Sequence, residues 1–194
     1  MEPVIIRPLH FGLFGDWDPR KELWAGISFY MGDRAKWLPA YEKVAGWLGD
    51  NNSRGLICVG TCGLGKSLIC MKVLPVLFKK HFGIEPMAVT AVDMNRRIDE
   101  LLSYCGQDRI VIVDDLGTEA AETVTYGNRR RPFCELADRA ETTGTLLIIT
   151  TNLRTTRHAT MPYPSIEERY GIPTLDRLRA ATSVVVFKGE SLRK

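Results

Sequence analysis

Gly60-Thr61-Cys62-Gly63-Leu64-Gly65-Lys66-Ser67 is the stretch on which the reading of this chain turns. It has the form G-x-x-x-x-G-K-[ST] and directly follows GLICVG at 55–60, a short apolar run that reads as a buried strand. Residues 67–82 read as a helix, which Pro75 kinks or ends early. The loop therefore sits between a strand and a helix. Its glycines let successive backbone N–H groups turn inward as an anion nest, and the helix behind presents its N-terminal partial positive charge to the same place. Lys66 is then positioned to meet the β- and γ-phosphates of a nucleoside triphosphate, and Ser67 to offer its hydroxyl to Mg²⁺. Cys62 reads as a tolerated loop residue rather than a redox switch.

Downstream, IVIVDD at 110–115 is an apolar strand ending in two carboxylates. Parallel strands bring their C-terminal ends to the crevice where ligands bind, so Asp114 is expected to hold Mg²⁺ through water. Neighbouring strand residues point to opposite faces, which sends Asp115 toward an attacking water. Glu119 is a second candidate for polarising that water, and the residues alone leave the two open. A further apolar run at 146–149 ends in Thr150-Thr151-Asn152. Asn152 both donates and accepts hydrogen bonds and is expected beside the γ-phosphate as a water-orienting sensor.

Five strands are expected, at 55–60, 87–92, 109–115, 145–151 and 183–189. Helices are expected at 37–49, 67–82, 94–103 (with Asp93 as its cap) and 128–142. This alternation predicts an α/β fold: a three-layer P-loop NTPase with a mainly parallel five-stranded sheet. Residues 1–36 read as an irregular N-terminal arm that Trp17, Trp24 and Trp37 pack onto the domain, and 37–194 as the core. With five residues after the last strand, no separate C-terminal domain is expected.

Composition narrows the class. With 194 residues, 45 % hydrophobic and 25 % charged, the chain is an ordinary globular one rather than a disordered or collagen-like one. No apolar run approaches the ~18 residues of a membrane span, and the N-terminus lacks the apolar core of a signal peptide. Five cysteines without a C-x-x-C pair argue against a disulfide framework or zinc site and fit a reducing cytoplasm. The net charge of +3 is too small to indicate nucleic acid. Residues 121–194 are the more basic part, and they include Arg129-Arg130-Arg131.

Taken in order, GTCGLGKS, IVIVDDLG, LLIITTNL, ERYGIPTLDRL and GESLRK resemble the DnaC/IstB family of AAA+ ATPases, the helicase loaders and transposition helpers. The likeness spans roughly residues 40–194, and YGNRRRPFCELADR at 126–139 resembles members found in bacterial mobile elements. It implies ATP and Mg²⁺ as cofactors and an AAA+ core without a C-terminal lid domain. It also implies a homo-oligomer whose active sites are shared between subunits. In the family the Arg of the motif written here LDRL is an arginine finger, which assigns Arg177. The Arg of the final S-x-R segment, Arg193, is assigned to nucleotide. DNA, single-stranded by preference, is the implied partner, with Arg96, Arg97, Arg129, Arg130 and Arg131 as candidate contacts and a replicative helicase or transposase as the protein partner. Two features depart from the family pattern. Only about 36 residues precede the core, and Asp115 stands where many AAA+ proteins carry Glu, which implies slow hydrolysis. A DnaC-like helicase loader is the leading reading and an IstB-like transposition ATPase the alternative. From other classes come a small-molecule P-loop kinase, with 154–169 as its lid, and a non-hydrolysing nucleotide-switch adaptor.

Overall fold

The computed structural model describes residues 8–13, 17–125, 127–155 and 163–192. In chain order its helices and strands are α1 (Pro19–Met31), α2 (Pro39–Gly49), β1 (Gly55–Gly60), α3 (Lys66–Leu68), α4 (Leu74–Phe82), β2 (Met87–Thr90), α5 (Ala91–Arg96), α6 (Ile98–Tyr104), β3 (Ile110–Leu116), β4 (Thr123–Thr125), β5 (Asn128–Arg130), α7 (Pro132–Thr143), β6 (Leu146–Thr151), α8 (Ile166–Tyr170), α9 (Ile172–Ala181) and β7 (Thr182–Phe187). Five strands form one parallel sheet in the order β2-β3-β6-β1-β7. β4 and β5 make a separate antiparallel hairpin.

Side-chain alternation along the strands splits the core into two layers. Leu56, Cys58, Ile110, Ile112, Leu146, Ile148, Val185 and Phe187 face α1, α2 and α4. Ile57, Val111, Val113, Leu147 and Ile149 face the layer built by α5–α9. This is the three-layer α/β fold with a parallel five-stranded sheet that the strand pattern predicts. No helix among the described residues is long and apolar enough to cross a membrane.

Several local expectations are corrected. Residues 19–31, expected to be irregular, form α1. Asp18 caps it by accepting from the Arg20 and Lys21 amides, Pro19 opens it, and Leu23 and Ile27 are buried in the first layer. The helix after the phosphate loop is interrupted by a π-helical turn over Ile69–Val73. That turn ends where Pro75, lacking an N–H, opens α4. Thr90, not Asp93, caps the helix after β2: its hydroxyl accepts from the Asp93 amide, so β2 ends at 90. Residues 128–130 are strand rather than helix, and α7 begins only at Pro132. Between 151 and 183 lie α8, with a Ser165/Glu168 capping box, and α9, which carries Arg177 and Arg179.

Candidate functional site

The loop from Thr61 to Gly65 leaves the C-terminal end of β1, which lies between β6 and β7, and delivers Lys66 to the first turn of α3. Gly63 and Gly65 both have φ near +83°, a left-handed conformation that a side chain strains. They also have no room for one. A Cβ on Gly63 would lie 2.1 Å from Ser191 Oγ, and one on Gly65 2.6 Å from the Tyr41 hydroxyl. Tyr41, fully buried on α2, donates its hydroxyl to the Leu64 carbonyl (3.1 Å), so α2 props the loop from below. Burial pushes the Tyr41 phenol up to about 12, which keeps it a neutral donor. Sequence reasoning placed Tyr41 on a helix face and missed this role; helical spacing carries no sign of it.

A cavity of about 440 Å³ opens over the loop. Cys62, Gly63, Gly65, Lys66 and Ser67 form its floor, Asp115 and Thr118 one side, and Asn152 another. Tyr30, Met31 and Arg34, from the end of α1 and the turn after it, supply a wall that the sequence did not indicate. Leu192 also lines it, with its amide donating to the Gly63 carbonyl (2.9 Å).

Lys66 is 5 % exposed. Its Nζ donates to the Gly60 and Thr61 carbonyls (2.7 and 2.9 Å) and to Asn152 Oδ1 (3.1 Å). Burial pulls its pKa below the usual lysine value. The Cys62 thiol and Asp115, and then Cys58 and Asp114, act in the opposite direction. Asn152 also donates to Cys62 Sγ (3.3 Å). The lysine, loop and sensor expected from separate motifs thus meet in one hydrogen-bonded group.

The two acids separate by a mechanism the strand pattern did not contain. Pairing of β3 with β6 shifts register between Val113 and Leu116, and Asp115 takes a left-handed φ of +54°. Asp114 is left buried, accepting from Thr150 Oγ1 at 2.5 Å, while Asp115 is exposed at the cavity. The same Thr150 hydroxyl accepts from the Asp115 amide (2.8 Å), so one buried residue of β6 sets both acids. Sequence reading treated Thr150 only as the end of an apolar run.

Other expected site residues are placed elsewhere. Glu119 is buried away from the cavity. Oε2 accepts from the Gly117 amide (2.8 Å), and Oε1 accepts from the Tyr170 hydroxyl, with the Arg169 guanidinium 3.7 Å away. Burial, and after it this carboxylate, raises the Tyr170 phenol. Glu119 thus sits in a packing network and is not among the residues lining the cavity. Arg177 does not reach the cavity of its own chain. It lies on α9, and its guanidinium spans Asp138 (2.7 Å) and Glu141 (3.0 Å) of α7. Arg193 lies outside the described residues.

The arginine run is not a uniform cationic patch. Arg130 forks onto Asp99 (2.7 Å) and Glu135 (2.5 Å), which raises its pKa and ties the hairpin to α6 and α7. Arg131 reaches Glu122 (4.0 Å) and the Arg169 carbonyl (3.4 Å). Arg97 grips Glu100 with two hydrogen bonds of 2.7 Å, and Arg96 pairs with Asp93 (3.3 Å). Arg129 is exposed on β5.

The residues present suit a nucleoside triphosphate with Mg²⁺. The left-handed glycines turn bare backbone toward the cavity, a buried ammonium sits on loop carbonyls, and the nearby hydroxyl and carboxylate are the hard oxygen donors that Mg²⁺ takes. Among the described residues no His/Cys/Asp/Glu cluster forms a further metal site.

No family model matches the chain, and no curated protein matches it. Solved structures do. The chain is similar to the DnaC helicase loader, with a TM-score of 0.60 at 18 % identity over 87 % of this chain and 99 % of that one. It is similar to DnaI, with a TM-score of 0.61 at 17 % identity over 90 % and 94 %. A third likeness is to a proposed primosome component from Streptococcus pyogenes serotype M3, with a TM-score of 0.52 at 11 % identity over 94 % and 87 %. At these identities the likeness is one of fold, and the fold is the one that the ordered motifs resemble.

Proposed function

We propose that the protein is an AAA+ ATPase that binds ATP with Mg²⁺, completes its active site between subunits and acts on cytoplasmic DNA as a helicase loader with a replicative helicase. The observation that carries this reading is the convergence of Lys66, Ser67, Asp115 and Asn152 on one cavity at the C-terminal ends of three adjacent parallel strands. Lys66 exchanges its loop carbonyls for phosphate oxygens and neutralises their charge. Ser67, and Asp114 through water, would hold Mg²⁺, which would supply charge neutralisation at the β- and γ-phosphates. Asp115 takes the proton of the attacking water, and Asn152 orients that water. Asp115 is one methylene shorter than Glu, which supports slow turnover. Arg177 serves the neighbouring subunit's site, where its planar guanidinium meets charge on the transferring phosphoryl group. In that role it leaves Asp138 and Glu141 on assembly.

Phosphate release measured with and without single-stranded DNA tests the reading. Release is expected in the wild type and stimulated by DNA, and Lys66→Ala is expected to lose nucleotide binding and release together. Unchanged hydrolysis in that variant would sink the site assignment. Nucleotide binding without release in either condition would favour the adaptor. Arg177→Ala is expected to bind ATP but lose stimulated release, whereas Asp138→Asn with Glu141→Gln, which breaks the same ion pairs, is expected to keep it. Equal loss in both would reduce Arg177 to a tie between α7 and α9.

A further inference from the structure

The exposed aromatic rings of this protein are concentrated on one helix. Four aromatic side chains among the described residues are markedly exposed, and three of them, Trp24 (37 %), Phe29 (83 %) and Tyr30 (41 %), belong to α1. An 83 % exposed phenylalanine has no role in the core, and three such rings on one 13-residue helix form a surface rather than scattered apolar residues. Residues three and four apart share a helix face, so Arg20, Lys21 and Trp24 are neighbours, as are Lys21, Ala25 and Phe29. Trp24 and Phe29 are five residues apart, about 7.5 Å along the axis and about 140° around it, with Lys21 between them on the outer face.

At the first of these rings the surface deepens into a pocket of about 360 Å³ lined by Asp18, Arg20, Lys21, Trp24 and Trp37. Trp37 stands edge-on to Trp24, with centroids 5.9 Å apart at 73°. It is held there by its Nε1–H to Glu42 (2.9 Å) and by the Arg20 guanidinium 5.3 Å over its ring. At the far end, the Lys72 ammonium lies 5.3 Å over the Tyr30 ring. The acids close by are engaged. The Asp18 carboxylate caps α1, Glu42 holds Trp37 and Arg20, and Glu22 pairs with Lys80 (2.7 Å). Exposed rings with cations close by, here Lys21 in the pocket of Trp24 and Lys72 over Tyr30, are the chemistry that takes bases on the rings and phosphates on the cations.

We infer that the outer face of α1 is a single-stranded nucleic-acid contact, with bases stacked on Trp24 and Phe29 and the backbone held by Lys21 between them. The inference rests on the reading that the protein acts on DNA and names where the strand lies. It moves that contact away from Arg96, Arg97, Arg130 and Arg131, whose guanidiniums are held by carboxylates. Tyr30, next to Phe29, is also a wall of the nucleotide cavity, so the strand runs along α1 toward the nucleotide.

The test is fluorescence anisotropy of a labelled oligothymidylate of about 15 nucleotides against the full chain. Affinity for an ATP analogue is measured on the same preparations. Trp24→Ala, Phe29→Ala and Lys21→Glu are each expected to weaken the oligonucleotide roughly fivefold or more, as loss of one stacked base or phosphate contact does, and to keep ATP affinity. Phe29 is nearly free of packing, so that variant reports even if Trp24→Ala folds poorly. Duplex DNA, whose bases are already stacked, is expected to bind more weakly than the single strand. Wild-type affinity in all three variants, or duplex binding as tight as single strand, overturns the inference while leaving the ATPase reading intact. Binding of a polyglutamate peptide in place of oligothymidylate marks the face as a contact for acidic protein segments and also overturns it. Loss of ATP binding in the wild type would instead sink the ATPase reading.

Discussion

Thr150 shows how much of the candidate site hangs on one hydroxyl. It is fully buried, donates to Asp114 and accepts from the Asp115 amide. Thr150→Val keeps the shape but leaves a backbone N–H unpaired and a buried carboxylate short of a partner, at a cost of about 1–3 kcal/mol. Urea denaturation is expected to show that loss, and ATP binding is expected to lose its Mg²⁺ dependence. A variant with wild-type Mg²⁺ dependence would show that Asp114 needs no such support. Lys66 makes a second prediction at this scale. Its folded pKa lies below its unfolded one, so between the two the unfolded chain binds more protons and stability rises with pH. The cost of burying the ammonium is complete below the folded pKa and fades as pH climbs toward the unfolded value. The wild type is therefore expected to gain melting temperature relative to Lys66→Met as pH is raised above neutrality. A constant difference across that range would mean that the loop carbonyls fully compensate the burial.

At the scale of elements, the β4–β5 hairpin has little core of its own, and Val124 at its surface is 71 % exposed. What fixes it is Arg130, whose fork onto Asp99 and Glu135 joins it to α6 and α7. Arg130→Ala is expected to speed amide exchange through 123–130 while leaving the protection of β1, β3 and β6 unchanged. Faster exchange in the central strands as well would show the hairpin to be part of the core's cooperative unit. The connection before β1 is pinned by Asn51, buried in the turn after α2. Its side chain accepts from the Phe11 amide (2.8 Å) and donates to the Leu9 carbonyl (2.8 Å). Both cases show polar side chains setting the position of segments that apolar periodicity leaves unplaced.

Over the whole molecule, α1 is a component of the first core layer. Its closest approach is at Gly26, where a Cβ would lie 2.5 Å from Val73 Cγ1 on the π-helical turn. Alanine is the better helix former by about 1 kcal/mol, so an isolated helix would gain from Gly26→Ala. Here the substitution is expected to lower the melting temperature, because a stiff β-branched neighbour cannot yield. Val73→Ala in the same chain is expected to recover part of the loss, a coupling that a double-mutant cycle reads directly. A gain in stability from Gly26→Ala alone would mean that α1 sits further from the turn.

The layers of the sheet, the phosphate loop, Lys66, Asp114 and Asn152 were legible without coordinates. Each is written locally, as an apolar run of strand length, a glycine pattern between strand and helix, or a polar residue at a strand's end. The positions of Glu119, Arg130 and Arg177 were not, because a charged side chain reads the same whether it faces solvent, substrate or a buried partner. Only packing brought Tyr170 to Glu119, and Asp138 with Glu141 to Arg177. The roles of Thr150 and Tyr41 and the left-handed turn at Asp115 were hidden for the same reason: they depend on contacts between residues far apart in the chain. Local chemistry is carried by neighbours in sequence and survives reading in one dimension. The choice among partners for a charge or a hydroxyl is made by the energy of desolvating it, and that energy exists only once the layers have closed.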